Sequence, residues 1–599
     1  MASKIKAHSF HIPVMGTGFS IDSPIKVAQY GISSVISLVD DMLIEKMRKF
    51  YSEKINEPFH EITNKIEDYR AKRITAYLNL VDKIVKEKFE EVKASVKESG
   101  AAFEKYMHML PNISDLKLKF NEFTQQGYTK KDLLNWVNEH LALGSIDVNI
   151  MTKLDKPNYK DKEQLPIEYN DAHAALRGFA NSDLESSIIF SAGMNPRLYS
   201  YIEQFEDFYP DASGYIKKKI VIKVSDYRSA LIQGKFLAKK GLWVSEYRIE
   251  SGLNCGGHAF ATEGYLMGPI LQEFKDNRSE LIETTYSILT DALSEKGRLS
   301  PGMPLPLKIT AQGGVGTAEE HDFLINHYNL DSVGWGTPFL LVPEATNVDD
   351  ETLEKLAKAK EEDLYLSGIS PLGVPFNSLR GNSQDGIKYE KIEQGNPGST
   401  CPKQYLISNT DYTERPICSA SRQFQKIKIK ELEDQNLSAS EHTEAYTKIV
   451  EKSCICVGLG TSALKLNKIE HRVEGEGVSI CPGPNMAYFS SIVSLREMVD
   501  HIYGNAKVAL SAHRPNMFMK ELKMYIDHLK EKMSELAEPI AEKQMKNLAN
   551  FQQNLMDGIQ YYQELAEEMK HKAEESAQKI KADLEGLKME LLGLELAMV

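Results

Sequence analysis

Leu307-Lys308-Ile309-Thr310-Ala311-Gln312-Gly313-Gly314-Val315-Gly316-Thr317 begins as a short strand, breaks into a glycine loop and runs into an acidic helix start at Glu319-Glu320. The same order repeats at once. Ser332-Val333-Gly334-Trp335 reads as the next strand, and Gly336-Thr337-Pro338-Phe339 as its turn. Strand, glycine turn, helix, strand, glycine turn is one β/α unit. A chain of such units pairs its strands in parallel through right-handed crossovers. In a closed barrel of this kind the loops that follow the strands form the active face, and phosphate sites commonly use the last two.

Working back towards the N-terminus, strands are expected at 187–191, 219–224 and 242–247, with helices at 196–208, 228–239 and 267–295. Two more strand runs, 10–18 and 33–39, flank a short helical stretch at 24–28. That makes seven strands. The eighth lies either at 363–367 or at an earlier position without a clear period. An earlier strand would make the two glycine loops the seventh and eighth, as a phosphate site prefers.

The fold expectation is therefore α/β: a (β/α)8 TIM barrel with a long helical insertion and a C-terminal helical arm. The expected division is 1–42 as the start of the barrel, 43–165 as the insertion and 166–385 as the rest of the barrel. A cysteine-containing extension follows at 386–513, and the arm occupies 514–599. In the insertion, Ile62, Ile66, Tyr69, Ile74, Tyr77, Val81 and Ile84 make a one-sided apolar stripe. In the arm, Phe518, Leu522, Tyr525, Leu529, Leu536 and Ile540, then Leu548, Phe551, Leu555, Tyr562, Leu565 and Met569, keep near-heptad spacing. Such helices either hold a second copy or a protein partner, or fold back on the barrel as an intrachain hairpin.

With 42% hydrophobic and 26% charged residues, the 599-residue chain is globular rather than disordered. Its net charge of −13 repels phosphate backbones and argues against a broad nucleic-acid footprint. The run Lys217-Lys218-Lys219 reads as a solvated strand edge. No secretory pattern opens the chain and no run of about 18 apolar residues occurs, so neither export nor a membrane span is expected. Six cysteines in a chain of this length make no disulfide framework, and a cytoplasmic setting is the expectation.

Three glycine loops carry the chemistry. Besides the two quoted, Ser251-Gly252-Leu253-Asn254-Cys255-Gly256-Gly257-His258 places paired glycines, which let backbone amides approach a ligand, beside a histidine that titrates near neutral pH. Taken alone, each loop is equally a plain turn. Their order is more specific. Ile12-Pro13-Val14-Met15-Gly16, Val221-Ile222-Lys223-Val224, Cys255-Gly256-Gly257-His258, Gln312-Gly313-Gly314-Val315 and Gly336-Thr337-Pro338-Phe339 resemble, in order, motifs of the nitronate monooxygenase (2-nitropropane dioxygenase-like) family of FMN barrels, which includes flavin-dependent enoyl-ACP reductases. Gly373-Val374-Pro375-Phe376-Asn377 with Arg380-Gly381-Asn382 resembles that family's closing segment. The resemblance spans about 8–40 and 185–385. It departs at Cys255, where alanine is usual, and at Pro338, where the family carries arginine. Proline offers neither charge nor N–H to a phosphate.

The resemblance implies an FMN-dependent oxidoreductase acting on a small organic substrate. His258 would be the acid or base beside the flavin and Lys223 a cation near the reduced ring. Val14, Met15, Gly16, Lys223, Gly256, Gly257, Gln312, Gly313, Gly314, Gly316, Gly334, Gly336 and Thr337 would hold the cofactor. The alternatives are an NAD(P)H-dependent enoyl-thioester reductase on the same barrel, and a non-catalytic scaffold or complex subunit. Cys401, Cys418, Cys454, Cys456 and Cys481 crowd one stretch. Either they ligate an Fe–S cluster or zinc, or they are buried unpaired thiols.

Overall fold

Eight parallel strands close into a barrel in a computed structural model that describes residues 7–112, 114–191, 193–257, 263–534, 542–569 and 574–594. They are β1 (Phe10–Ile12), β2 (Ser33–Ser37), β3 (Ile146–Met151), β4 (Ser186–Ser191), β5 (Lys218–Val224), β6 (Val244–Glu250), β7 (Lys308–Gln312) and β8 (Ser332–Gly334). Each pairs in parallel with its neighbour in chain order, and β8 returns to β1 through Phe10↔Val333. The expected (β/α)8 barrel is the fold.

Alternation along the strands separates two cores. Ile220, Ile222 and Val224 of β5 and Ile188 and Phe190 of β4 face outward and join the large cluster shared with the helices. Val221, Ile189 and Val35 face inward and make a small separate cluster, a packed layer across the barrel. Below it the interior is charged. Arg248 Nε donates to Glu246 Oε1 at 2.8 Å, and Thr310 Oγ1 donates to the same oxygen at 2.7 Å. Burial opposes the Glu246 charge, but Arg248 overrides it and holds the carboxyl down at about 2.

The eighth strand is β3, inside the 43–165 stretch that reads as helical. Ile146-Asp147-Val148-Asn149-Ile150-Met151 alternates apolar and polar, and the polar set faces the barrel axis. The alternative at 363–367 is overturned: Leu364–Ser367 pairs antiparallel with Phe376–Leu379, outside the barrel. The glycine loops thus follow β7 and β8.

Among the described residues, five α-helices separate β2 from β3. In Tyr69–Ala94 the stripe Ile74, Tyr77, Val81 and Ile84 is buried, and Gly178 lets that helix approach Asp171–Ala180 so closely that a Cβ there would meet Ile74 at 2.8 Å. Ile62 and Ile66 fall before the helix begins, and Ile66 is exposed. The lysine run is not uniformly solvated either. Lys218 is fully buried, and its Nζ donates to Phe179 O, Ser182 O and Ser182 Oγ, a cage that replaces water.

In the arm, Met517–Ser534 and Glu542–Met569 bury Leu522, Tyr525, Leu529, Leu555 and Tyr562, in part against the barrel's own loops. Gly268 N–H donates to Tyr562 Oη at 3.1 Å, and Glu521 accepts from Ser251 Oγ at 2.6 Å and from Met267 N–H at 2.9 Å. No described helix is long and apolar enough to cross a membrane.

Candidate active site

The C-terminal ends of the strands surround a cavity of about 470 Å3. That lies within the ~300–1,000 Å3 typical of small-molecule and cofactor sites. Its floor comes from inward-facing residues at the strand ends: Ser37 of β2, Asn149 of β3, Ser191 of β4, Lys223 of β5 and Glu250 of β6. Val14, Gly16 and Thr17 follow β1 and line one side; Asn254, Cys255, Gly256 and Gly257 follow β6 and line another. Segments beyond the barrel close it with Phe376, Leu406, Ile455 and Leu459, which make the covering mostly apolar.

Lys223 is the cation of the floor. Its Nζ lies 2.7 Å from Glu250 Oε1, and that oxygen also accepts from Asn254 Nδ2 and Gln312 Nε2 at 2.6 Å each. Three donors converging on one carboxylate oxygen fix its position, and the pair keeps a lysine that is only 9% exposed from being a stranded charge. On the neighbouring strands β4 and β3, Ser191 Oγ donates to Asn149 Oδ1 at 2.8 Å. Gly257, at φ +86°, holds a backbone shape that L side chains rarely adopt, and a Cβ there would stand 2.8 Å from the Phe376 ring.

The expected cofactor residues split into two groups. Val14, Gly16, Lys223, Gly256 and Gly257 line the cavity. Met15, Gln312, Gly313, Gly314, Gly316, Gly334, Gly336 and Thr337 do not. Met15 is buried, with its N–H donating to Ser20 Oγ. The loop after β7 is already satisfied by the chain itself. Gly316 N–H donates to Glu320 Oε2 at 2.9 Å, where a phosphate oxygen would stand. Arg514 then grips Glu320 with two N–H groups at 2.8 Å each and donates to Gly314 O at 2.7 Å and Asn485 Oδ1 at 3.1 Å. A Cβ on Gly316 would meet the Arg514 Cζ at 2.7 Å, so this glycine admits a guanidinium.

The loop after β8 is closed likewise. Thr337 Oγ1 donates to Pro482 O at 2.7 Å, and Cys255 Sγ lies 3.4 Å from Cys481 O. Gly483 packs so that a Cβ would meet Asn254 O at 3.1 Å. The fit to FMN is therefore divided. The cavity has the volume of a small-molecule site, but the glycine-loop donors that the resemblance assigns to a phosphate are taken by Glu320. Pro338 instead of arginine agrees with this loss.

The five clustered cysteines do not form one ligand set. Cys481 sits at the barrel mouth with Cys255, whereas Cys401 and Cys418 pack together beside Ala420. All six cysteines are buried and free, and among the described residues no group of three or more His, Cys, Asp or Glu is placed to hold a metal ion. Contact with Cys418 draws the Cys401 thiol below its usual range and pushes Cys418 above it. Burial raises Cys456, which also lines the cavity. His258 lies outside the described residues.

Sequence reading missed Glu250, Asn149 and Ser191. Their trace was a polar residue at every second position of a buried strand, as in Glu246-Tyr247-Arg248-Ile249-Glu250. Nothing local marked Arg514, Asn485 or Glu320 as a unit, because they meet only in three dimensions. His321, next to Glu320, is held by Ser9 Oγ at 2.8 Å and by Trp335 Nε1 at 3.1 Å.

No family profile matches the chain, and no curated protein matches it. Among solved structures, the enoyl reductase domain of MlnA from the macrolactin biosynthesis cluster of Bacillus amyloliquefaciens is similar at 13% identity and a TM-score of 0.31, over 67% of this chain and 87% of that one. A likeness at that level says nothing about chemistry, and the resemblance to the nitronate monooxygenase barrels rests on its motifs.

Proposed function

We propose that this chain is an oxidoreductase acting on a small organic molecule, and that its barrel-mouth cavity holds a flat conjugated ring of the flavin class. One observation carries this reading. Val14 and Gly16, Lys223, and Gly256 and Gly257, taken from three distant motifs, line a single cavity of about 470 Å3. When bound, such a ring would supply the redox chemistry; the protein supplies binding, orientation and electrostatics.

The chain's own part follows from the geometry. The Glu250-held ammonium of Lys223 stands where it can donate to an acceptor atom on the ring or to negative charge gathering there. Gly256 and Gly257 present backbone without side chains, so a flat ligand can lie close. Phe376, Leu406, Ile455 and Leu459 exclude water and strengthen the interactions beneath them. No step is assigned to a phosphate.

The test is the absorption spectrum of the purified full chain, with and without added flavin, under anaerobic conditions. The reading expects flavin bands, bleached by the electron donor. Bleaching by NAD(P)H selects the reductase form, and bleaching by the organic substrate alone selects the oxidase form. A colourless chain that takes up no ring would leave the scaffold reading instead.

A further inference from the structure

We infer that the anion seat of this barrel is permanently filled by the chain's own Glu320 carboxylate, so that the ring in the cavity is bound without a phosphate anchor and riboflavin is held as well as its mononucleotide. This rests on the flavin-class reading above and adds the ligand's chemical form.

Four contacts make the seat. Glu320 Oε2 takes the N–H of Gly316 at 2.9 Å, and Oε1 takes the N–H of Met517 at 2.8 Å. Arg514 closes on both oxygens at 2.8 Å. Backbone N–H donors at a helix start plus one guanidinium are what a phosphate would need, and here a side-chain carboxylate has them all. The charges also balance. Glu320 and Arg514 are both buried, at 7% and 9% exposure, and form a one-to-one pair. A phosphate arriving beside them would bring further negative charge to a carboxylate with no cation left over in the pair. The adjoining donor of the β8 loop, Thr337 Oγ1, is spent on Pro482 O. Of the cavity's own lysines, Lys223 stands on β5 and Lys153 follows β3, neither of them on the β7 or β8 loop.

A phosphate seated on such donors is worth roughly 1.5–3 kcal/mol per charged hydrogen bond, or about tenfold to a hundredfold in affinity. Removing that anchor erases the preference for FMN. The experiment has two arms on the full-length chain. In the first, wild type and Glu320→Ala are melted with and without inorganic phosphate at constant ionic strength. Vacating the seat leaves Arg514 and Gly316 N–H facing a void, so phosphate should raise the melting temperature of the variant and leave wild type unchanged. An equal rise in both proteins, or a folded variant that does not respond, overturns the inference.

In the second arm, riboflavin and FMN are titrated into wild type by fluorescence. Dissociation constants within about threefold are expected; FMN binding tighter by about tenfold or more overturns the inference. This arm decides alone if Glu320→Ala does not fold. If neither ring binds while the variant responds to phosphate, the self-filled seat stands and the flavin-class reading of the cavity fails.

Discussion

Arg514→Met is the sharpest test of how the C-terminal segment is fastened to the barrel. The substitution keeps a long apolar stem and removes the guanidinium. Lost with it are two bonds to Glu320, one to Gly314 O and one to Asn485 Oδ1. Breaking a buried ion pair by removing one partner costs about 3–5 kcal/mol. Glu320 keeps the N–H groups of Gly316 and Met517, so it is not wholly abandoned. That places the expected loss near the lower end, about 3 kcal/mol. The assay is urea unfolding followed by circular dichroism for wild type, Arg514→Met, Glu320→Gln and the double variant. Neutralising Glu320 should be far cheaper when Arg514 is already gone, giving a coupling of about 2 kcal/mol. Because Arg514 lies three residues before the helix Met517–Ser534, limited proteolysis should also cut Arg514→Met sooner near that junction. A single-variant cost below about 1 kcal/mol, or strict additivity, would refute the clamp.

Burial lifts Glu521 from the usual 4.5 to about 7, against the pull of the Ser251 and Met267 hydrogen bonds that favour its charge. A raised carboxyl gives its full stabilisation below about pH 4.5 and loses it as pH climbs through 7, a change of roughly 3 kcal/mol. Glu521→Gln should thus gain on wild type between pH 5 and pH 8 in urea melts; parallel pH profiles would contradict this. Lys223→Met should weaken ring binding by about tenfold or more while Lys223→Arg retains most of it, measured by the same fluorescence titration; a loss under twofold would remove Lys223 from the site. Gly234→Ala should cost about 1–3 kcal/mol by overpacking, since its Cβ would stand 2.1 Å from Tyr247 Oη. Adding Tyr247→Phe should recover most of that, because the hydroxyl is buried with no hydrogen-bond partner among the described residues; no recovery would show that the strain lies elsewhere.

The barrel was legible because its code is local. A parallel strand buried on both faces must be an apolar run, and the turn into a helix must carry glycine or a cap. Lys218–Val224 and Lys308–Gln312 keep enough of that signal, in Ile220, Val221, Ile222 and Val224 and in Ile309 and Ala311, and both lie close to the bounds expected of them. The strand Ile146–Met151 was missed because its inward residues, Asp147 and Asn149, are polar, and a strand of that kind does not separate from the charged helices before it.

The site divides along the same line. Val14, Gly16, Lys223, Gly256 and Gly257 meet at one cavity because each motif sits on its own strand end, and closure of the barrel brings strand ends together whatever else the chain does. The glycine loop after β7, Gln312–Thr317, was also recognisable as a place where backbone amides could meet an anion. The sequence alone determined that such a loop exists; that the barrel's last two strands present it was decided by Ile146–Met151 taking its place between β2 and β4. Which anion fills it was settled only by tertiary structure. Arg514 is nearly two hundred positions beyond Glu320, and the pairing depends on the 481–517 segment folding back across the mouth. Local pattern records what backbone a residue can adopt; it holds no record of which distant charge will arrive to meet it.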